Sequence, residues 1–431
     1  MLEAPRKIRV RPNGPLDGVP RLPGSKSIAQ RVLLWAGFAE GTTLVDGAGT
    51  SEDVLSTIGC LDALGCIPRS GGRSLDDRLR VVGRPVPKTR ALELAIGESG
   101  TLGRLLLGLL GTTSGARAVL RPSGTLAHRS SKALVDALRF AGARLTGQGF
   151  EQTVEGGAGS PPWKLVRPTS SQEVSALLGA LAARGGGVLE VEGRIPSRPY
   201  VDLTVDCLRR FGVSVEEEHD TIRIAGGLRA PTDPWGIEPD ASAAGTALAA
   251  AATSAGRVCV EGLGSTSSQG DVRVIDHLAA FGVETRATPT TLEAHGAPTR
   301  GAELDLADTP DLAPPLAMVA ARAAHDLGAT SRLDGLATLR GKESDRVAAL
   351  ADCLSAANFA VRSGSDWLVV GPGKTPPAHL RRSALGDHRI AFALVLLGTF
   401  ACEVTIEGAD CVSKSWQGSF DSFLKLGADV S

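Results

Sequence analysis

Residues 60–65 read CLDALG, a short amphipathic run closed by Gly65, and the chain returns to that phrase five more times. ALRFAG closes at Gly142, CLRRFG at Gly212, HLAAFG at Gly282, CLSAAN at Asn358 and FLKLG at Gly427, at intervals of 77, 70, 70, 76 and 69 residues. Helices commonly end on a residue in the left-handed backbone region, which glycine enters freely and asparagine tolerates next best. The one stop that is not glycine, Asn358, is therefore the substitution a helix-capping explanation predicts. Six units of about 72 residues fill the chain, and a repeat of this regularity dictates the architecture.

Each unit also carries an earlier helix rich in small apolar residues, such as VLLWAGFAEG, RLLLGLLGTTSG and GTALAAAATSAG. A short strand follows it: TTLVDG, RAVLRP, GVLEVEG, RVCVEG, TSRLDG or EVTIEG. The capped helix comes next, then further strands such as TIRIAG and WLVVGPG. The plan per unit is helix, strand, helix, strand, strand, an α/β fold with mixed sheets. Helices apolar all round are expected to be buried on every side, and amphipathic ones such as ALVDALRFAG to cover an outer face. Six units group three and three into two globules. The Pro-rich segment APTDPWGIEP, 230–239, lies near the midpoint and marks the crossing between them.

Composition narrows the function classes. Forty-six basic against 47 acidic residues give a net charge of −1 over 431 residues, so neither nucleic acid nor a membrane surface is an expected partner, and any cationic site must be local. The seven cysteines (60, 66, 207, 259, 353, 402 and 411) are odd in number and widely spaced, without a CxxC pair; they read as reduced thiols of a cytoplasmic protein. MLEAPRKIRVRP has no apolar core of a signal peptide. The longest apolar run, 390–402, is too short to span a bilayer and reads as a buried helix.

The chemistry concentrates at helix starts. The buried helices are preceded by GSKSIAQR, GESGTLGR (97–104), SSQ (170–172), DASAAG (240–245), DTPD (308–311) and GDHR (386–389). Buried helices of one layer point their starts the same way, so these first turns can converge. The second helices add AHRSS (127–131), SRPY (197–200), STSSQGD (265–271), RGKESDR (340–346) and SKSWQ (413–417). Taken singly, a Ser, Thr or Asp at a helix start is an N-cap, a lone Arg or Lys is a solvated charge, and one His is structural. The ensemble reads differently. Lys26, Arg31, Arg129, Lys342, Arg346, Arg389 and Lys414 all fall in these segments. Cations focused this way in a near-neutral protein suit a polyanionic small molecule, with Asp311, Glu343 and His388 as acid–base groups among them. GSKS lacks the spacing of a phosphate-binding P-loop, and GAGTSE (47–52) lacks the third glycine of a dinucleotide fingerprint. There is no HExxH, and the histidines do not cluster with cysteines, so no metal site is expected.

In this order LPGSKSIAQR, GxxGTxxR, SSQ, SRPYVDLT, STSSQGD, KESDR, DHR and SKSW resemble the 5-enolpyruvylshikimate-3-phosphate synthase family, over essentially the whole chain. The resemblance implies two globules, each of three βαβαββ units in an inside-out α/β barrel, with the active site in the interdomain cleft. Residues 23–237 would form one globule, and 1–22 with 238–431 the other. It implies transfer of the enolpyruvyl group of phosphoenolpyruvate to the 5-hydroxyl of shikimate 3-phosphate through a tetrahedral adduct, with release of phosphate. That chemistry belongs to chorismate and aromatic amino-acid biosynthesis and needs no cofactor or metal. By the match, Lys26, Ser27, Arg31, Ser170, Ser171, Gln172, Ser197, Tyr200, Asp311 and Lys342 would hold shikimate 3-phosphate. Lys26, Gly100, Arg129, Gln172, Arg346, Arg389 and Lys414 would hold phosphoenolpyruvate. Asp311 would serve at the 5-hydroxyl and Glu343 at the methylene carbon, with Lys26 as a donor and His388 orienting its neighbours. A monomer is the default expectation.

The chain departs from the family pattern in places. Gly97-Glu98-Ser99-Gly100-Thr101 stands where GNAGT is common, which would bring a negative charge near a phosphate pocket unless a Lys or Arg neutralises it. His128-Arg129-Ser130-Ser131 replaces an ERPI-like segment, Thr338 a common Asn, and the aromatic after the late lysine is displaced to Trp416. The rival readings are a related enolpyruvyl transferase with another acceptor alcohol, a nucleotide sugar or a secondary metabolite, and a non-catalytic paralogue that binds a metabolite. Cysteine is absent between 66 and 207, where the cell-wall enzyme presents a loop thiol, and SSQ and SRPY suit a shikimate-type acceptor. Retention of Asp311, Glu343 and Lys26 argues against a non-catalytic paralogue.

Overall fold

The computed structural model describes residues 7–68, 78–87, 91–157 and 159–431. Two compact units divide it, Gly24–Glu238 and Met1–Pro23 with Pro239–Ser431. The described residues form six sheets, one per repeat. In the second repeat Leu92–Gly97 runs parallel to Arg117–Pro122; Glu151–Glu155 then pairs antiparallel to Arg117–Pro122, and Arg144–Gln148 closes the edge. The third repeat has the same order in Trp163–Val166, Gly186–Glu192, Thr221–Ala225 and Ser214–Glu218. The fifth matches it with Glu303–Asp305, Ser331–Asp334, Leu368–Gly371 and Ala360–Ser363. A parallel pair needs a crossover, and the buried helix supplies it.

The unit plan therefore has one strand more than the pattern of residues gave, ahead of each buried helix. Several of these strands are too short to show alternation, and three repeats take a strand from far along the chain. Trp235–Gly236 pairs with Thr42–Asp46 in the first repeat, and Asp17–Gly18 with Arg257–Glu261 in the fourth. Lys7–Arg11 lies between Glu403–Glu407 and Asp429–Val430 in the sixth. The helix stops behave as capping requires: Gly65, Gly142, Gly212, Gly282 and Gly427 have φ between +77° and +100°, and Asn358 has +67°.

The core of each unit is its three apolar helices. In one these are Lys26–Phe38, Gly100–Gly111 and Ser171–Ala183; in the other Ala241–Ser254, Ala313–Leu327 and His388–Gly398. Close approach depends on glycine. A Cβ at Gly108 would lie 2.5 Å from the Ala176 carbonyl oxygen, and one at Gly179 would lie 2.4 Å from Trp35 Nε1. No helix among the described residues is long and apolar enough to cross a membrane.

Candidate active site

In the Gly24–Glu238 unit the three buried helices begin side by side. Ser25, Ser99 and Ser170 are their N-caps, each accepting a backbone N–H of the first turn. The starts are also bonded to one another. Gln30 Nε2 donates to Ser99 Oγ at 2.7 Å, and Gln172 Nε2 donates to Thr101 Oγ1 at 2.8 Å. Three positive helix ends thus share one place, which favours an anion.

Two guanidinium groups face the start of the Gly100 helix. A Cβ at Gly100 would sit 3.1 Å from Arg104 Nη1 and 3.2 Å from Arg129 Nη2, so glycine leaves the room both need. Arg104 is buried; Nη1 donates to Gln172 Oε1 at 2.7 Å, Nη2 to the Ser130 carbonyl at 3.0 Å, and its plane stacks on Phe150. Burial, then the neighbouring Arg129, pushes Arg104 down to about 10. Like charges held together this way bind a dianion strongly. Arg104 was not among the expected binders, although it ends the quoted GESGTLGR; its pairing with Gln172 is long-range and leaves no local trace.

Lys26 Nζ lies 2.9 Å from Asp53 Oδ2. Asp53, in the first turn of Glu52–Ala63, is a second residue that the pattern missed, because an acid there reads as favourable to the helix dipole alone. Arg31 is 1% exposed and bound to neutral acceptors: Thr204 Oγ1 at 2.9 Å, the Ser27 carbonyl at 2.8 Å, Ser175 Oγ at 3.3 Å and the Tyr200 carbonyl at 3.2 Å. Burial lowers its pKa. It ties the first helix of the unit to the Ser171 and Pro199–Arg210 helices. Ser170 is committed to a capping box with Glu173, Ser171 is buried, and Ser197, buried at φ +51°, precedes the helix that carries Tyr200.

Glu98 is held by a neighbouring turn. Its Oε2 accepts from the backbone N–H and the hydroxyl of Thr125, both at 2.9 Å. A turn's N–H and O–H donors thus hold the carboxylate.

The other unit places its residues on helix starts too. Asp387 caps His388–Gly398, accepting Arg389 N at 3.0 Å, and also accepts Ser344 Oγ at 2.9 Å. Arg346 forks onto it, Nε to Oδ2 at 2.8 Å and Nη2 to Oδ1 at 3.1 Å, and its Nη1 donates to Asp311 Oδ1 at 2.9 Å. Asp311 also has Lys342 Nζ at 3.6 Å and Arg389 Nη2 at 3.5 Å. Burial works to raise the Asp311 carboxyl, but Lys342, Arg389 and Arg346 outweigh it and hold it well below the usual carboxylate range. Glu343 Oε2 lies 3.1 Å from His388 Nδ1 and 3.9 Å from Lys414 Nζ, and Lys414 donates to the Gly386 carbonyl at 2.8 Å. Trp416, the displaced aromatic, is buried against Phe392 and Phe423 with Nε1 donating to the Arg21 carbonyl. Thr338 keeps a buried hydroxyl with no hydrogen-bond partner among the described residues.

Asp387 and Asp271 are the acids that the sequence reading passed over here. Asp271 is buried in the Gly270–Arg273 turn and accepts from Ser242 Oγ, while its Oδ1 makes no hydrogen bond among the described residues. Burial, then the charge of Asp311, pushes it up to about 6. Glu343, Asp387 and His388 form a cluster of metal-ligand size. Asp387 is already consumed by the Arg346 fork and the helix cap, and Lys414 faces Glu343, so the cluster suits anion chemistry rather than a cation.

A sequence profile described as EPSP synthase (3-phosphoshikimate 1-carboxyvinyltransferase) matches residues 10–423. A 3-phosphoshikimate 1-carboxyvinyltransferase of Thiobacillus denitrificans is 37% identical, with 95% of this chain and 97% of that protein covered. One from Shewanella amazonensis is 33% identical, with 97% and 99% covered. The solved EPSP synthase from Acinetobacter baumannii superposes with TM-score 0.74 at 25% identity, over 99% of both chains.

Proposed function

The chain belongs to the EPSP synthase (3-phosphoshikimate 1-carboxyvinyltransferase) family and transfers the enolpyruvyl group of phosphoenolpyruvate to shikimate 3-phosphate; from that premise we propose how its side chains divide the work. Lys26, Ser27, Arg31, Ser170, Ser171, Gln172, Ser197 and Tyr200, with Asp311 and Lys342, bind shikimate 3-phosphate. Gly100, Arg129, Arg346, Arg389 and Lys414, with Lys26 and Gln172, bind phosphoenolpyruvate, and Arg104 joins them. Planar guanidinium forks suit both its phosphate and its carboxylate.

Asp311 accepts the proton of the 5-hydroxyl as the oxygen attacks C2 of phosphoenolpyruvate. Glu343 delivers a proton to the methylene carbon, giving the tetrahedral adduct. Elimination returns the proton traffic and expels phosphate, with Lys26 donating to the leaving oxygen. An Asp311 carboxylate gripped by three cations is a weak base. A phosphate and a carboxylate that draw Arg346 and Arg389 onto themselves release it, so its basicity rises when phosphoenolpyruvate binds. His388, 3.1 Å from Glu343, orients that carboxyl. The observation that supports this reading best is one carboxylate, Asp311, with Arg346, Arg389 and Lys342 all within 3.6 Å. The seven free cysteines support a reducing, cytoplasmic setting. The test is a rapid-quench single turnover of Asp311→Asn. It should bind both substrates yet form adduct at least 100-fold more slowly; normal turnover with both substrates bound would sink the assignment.

A further inference from the structure

The loops after two parallel strands meet at Glu98. Ser123 N donates to the Gly97 carbonyl at 2.8 Å, which brings the end of Leu92–Gly97 against the end of Arg117–Pro122. The chain then makes the Gly124–His128 turn, whose following residue is Arg129. A turn's first N–H groups need acceptors, and Ser123 provides no side-chain cap. Glu98 provides one from across the loop, its Oε2 taking both Thr125 donors at 2.9 Å. An ionised carboxylate only accepts, and two donors on one oxygen are charge-assisted bonds that hold the turn to it.

Gly124 is shaped to this contact. Its φ is +51°, and a Cβ there would lie 2.3 Å from Glu98 Cδ, deep inside van der Waals contact. Glycine at 124 and the long acid at 98 therefore fit one another. At the other end of the turn, the Arg129 N–H donates to the Leu126 carbonyl at 3.1 Å, and its guanidinium lies against Gly100 beside Arg104.

We infer that Glu98 is a positioning residue for phosphoenolpyruvate: its carboxylate latches the 124–128 turn and so sets Arg129 against the start of the Gly100 helix. This rests on the assignment of Arg129 to phosphoenolpyruvate made above. Glu98 does not touch the substrate. It acts through the turn, by way of its two Thr125 contacts.

The experiment compares the full chain with Glu98→Ala and Glu98→Gln. Hydrogen–deuterium exchange reads the turn directly. Exchange of the 124–129 segment should quicken at least 10-fold in Glu98→Ala, with the melting temperature of the whole chain little changed, and slow again in Glu98→Gln, whose amide oxygen still accepts. In steady state Glu98→Ala should raise KM for phosphoenolpyruvate about 5-fold or more, leave KM for shikimate 3-phosphate within 2-fold, and recover in Glu98→Gln. Unchanged exchange in Glu98→Ala overturns the latch, and faster exchange with an unchanged phosphoenolpyruvate KM overturns the positioning role. Should the parent chain itself fail to turn over, the functional reading falls separately. Protection of Arg129 from phenylglyoxal by inorganic phosphate then decides, with Glu98→Ala needing at least 5-fold more phosphate if the latch positions Arg129 and the same amount if it does not.

Discussion

Arg346 holds Asp387 with two nitrogens, Nε at 2.8 Å and Nη2 at 3.1 Å, and reaches Asp311 with the third at 2.9 Å. Both partners of the fork are buried. Removing one strands the other's charge, which costs about 3–5 kcal/mol in comparable pairs. Asp387→Ala also removes the cap of His388–Gly398. Urea denaturation should show a loss in that range, with kcat/KM for phosphoenolpyruvate reduced because Arg346 and Arg389 are no longer held. A loss under 1 kcal/mol would mean that the fork is not the support described here.

Arg104 and Arg129 make a double cation at Gly100. Arg104→Met keeps a long side chain over Phe150 and removes the charge. A charge-assisted hydrogen bond of roughly 1.5–3 kcal/mol corresponds to a loss of about 10- to 100-fold in affinity. The loss should appear in KM for phosphoenolpyruvate, with KM for shikimate 3-phosphate changed less than 2-fold. Equal changes in both constants would place Arg104 in the scaffold alone.

Asp271 gives a pH dependence of definite sign. Its folded pKa of about 6 lies above the ordinary value of 3.8, through burial first and then Asp311. An acid raised on folding contributes stability that is fully present below its unfolded pKa and is lost as pH rises through the folded value. Asp271→Asn, neutral at every pH, should therefore be more stable than the parent at pH 8, by about 2–3 kcal/mol. The difference should shrink to near zero around pH 4. Melting curves across that range measure it, and a difference that does not vary with pH would refute the assignment.

Asn358 stands at φ +67° where five repeats have glycine, and its side-chain amide donates to the Thr375 carbonyl at 2.8 Å. Asn358→Gly should change stability by under about 0.5 kcal/mol, since glycine takes the conformation freely and loses only an exposed hydrogen bond. Asn358→Val, β-branched in the left-handed region, should cost at least about 1–2 kcal/mol. Thermal denaturation separates the two, and equal effects would count against the cap.

The repeat was legible because its signals are local. Six stops and six strands such as RAVLRP and EVTIEG are written in consecutive residues, and each falls within a residue or so of its place in the structure. Lys7–Arg11, Asp17–Gly18 and Trp235–Gly236 were not legible as sheet partners, since two to five residues carry little alternation and their partners lie far along the chain. The cationic residues at helix starts showed themselves by clustering in polar segments. Their acidic counterparts Asp53, Asp271 and Asp387 did not, because an acid in a first turn or a cap has a sufficient local explanation. Only the folded chain shows that Asp387 grips Arg346 and Asp53 grips Lys26. Glu98 was legible as a departure, but its partner Thr125 was not.

The most direct measurement is phosphate release by the purified chain given phosphoenolpyruvate, with and without shikimate 3-phosphate, followed by mass analysis of the acceptor. Release should depend on shikimate 3-phosphate and match, mole for mole, a product heavier by one enolpyruvyl group. Binding of both substrates without release, or release that ignores shikimate 3-phosphate, would contradict the reaction assigned to Asp311, Glu343 and their cations.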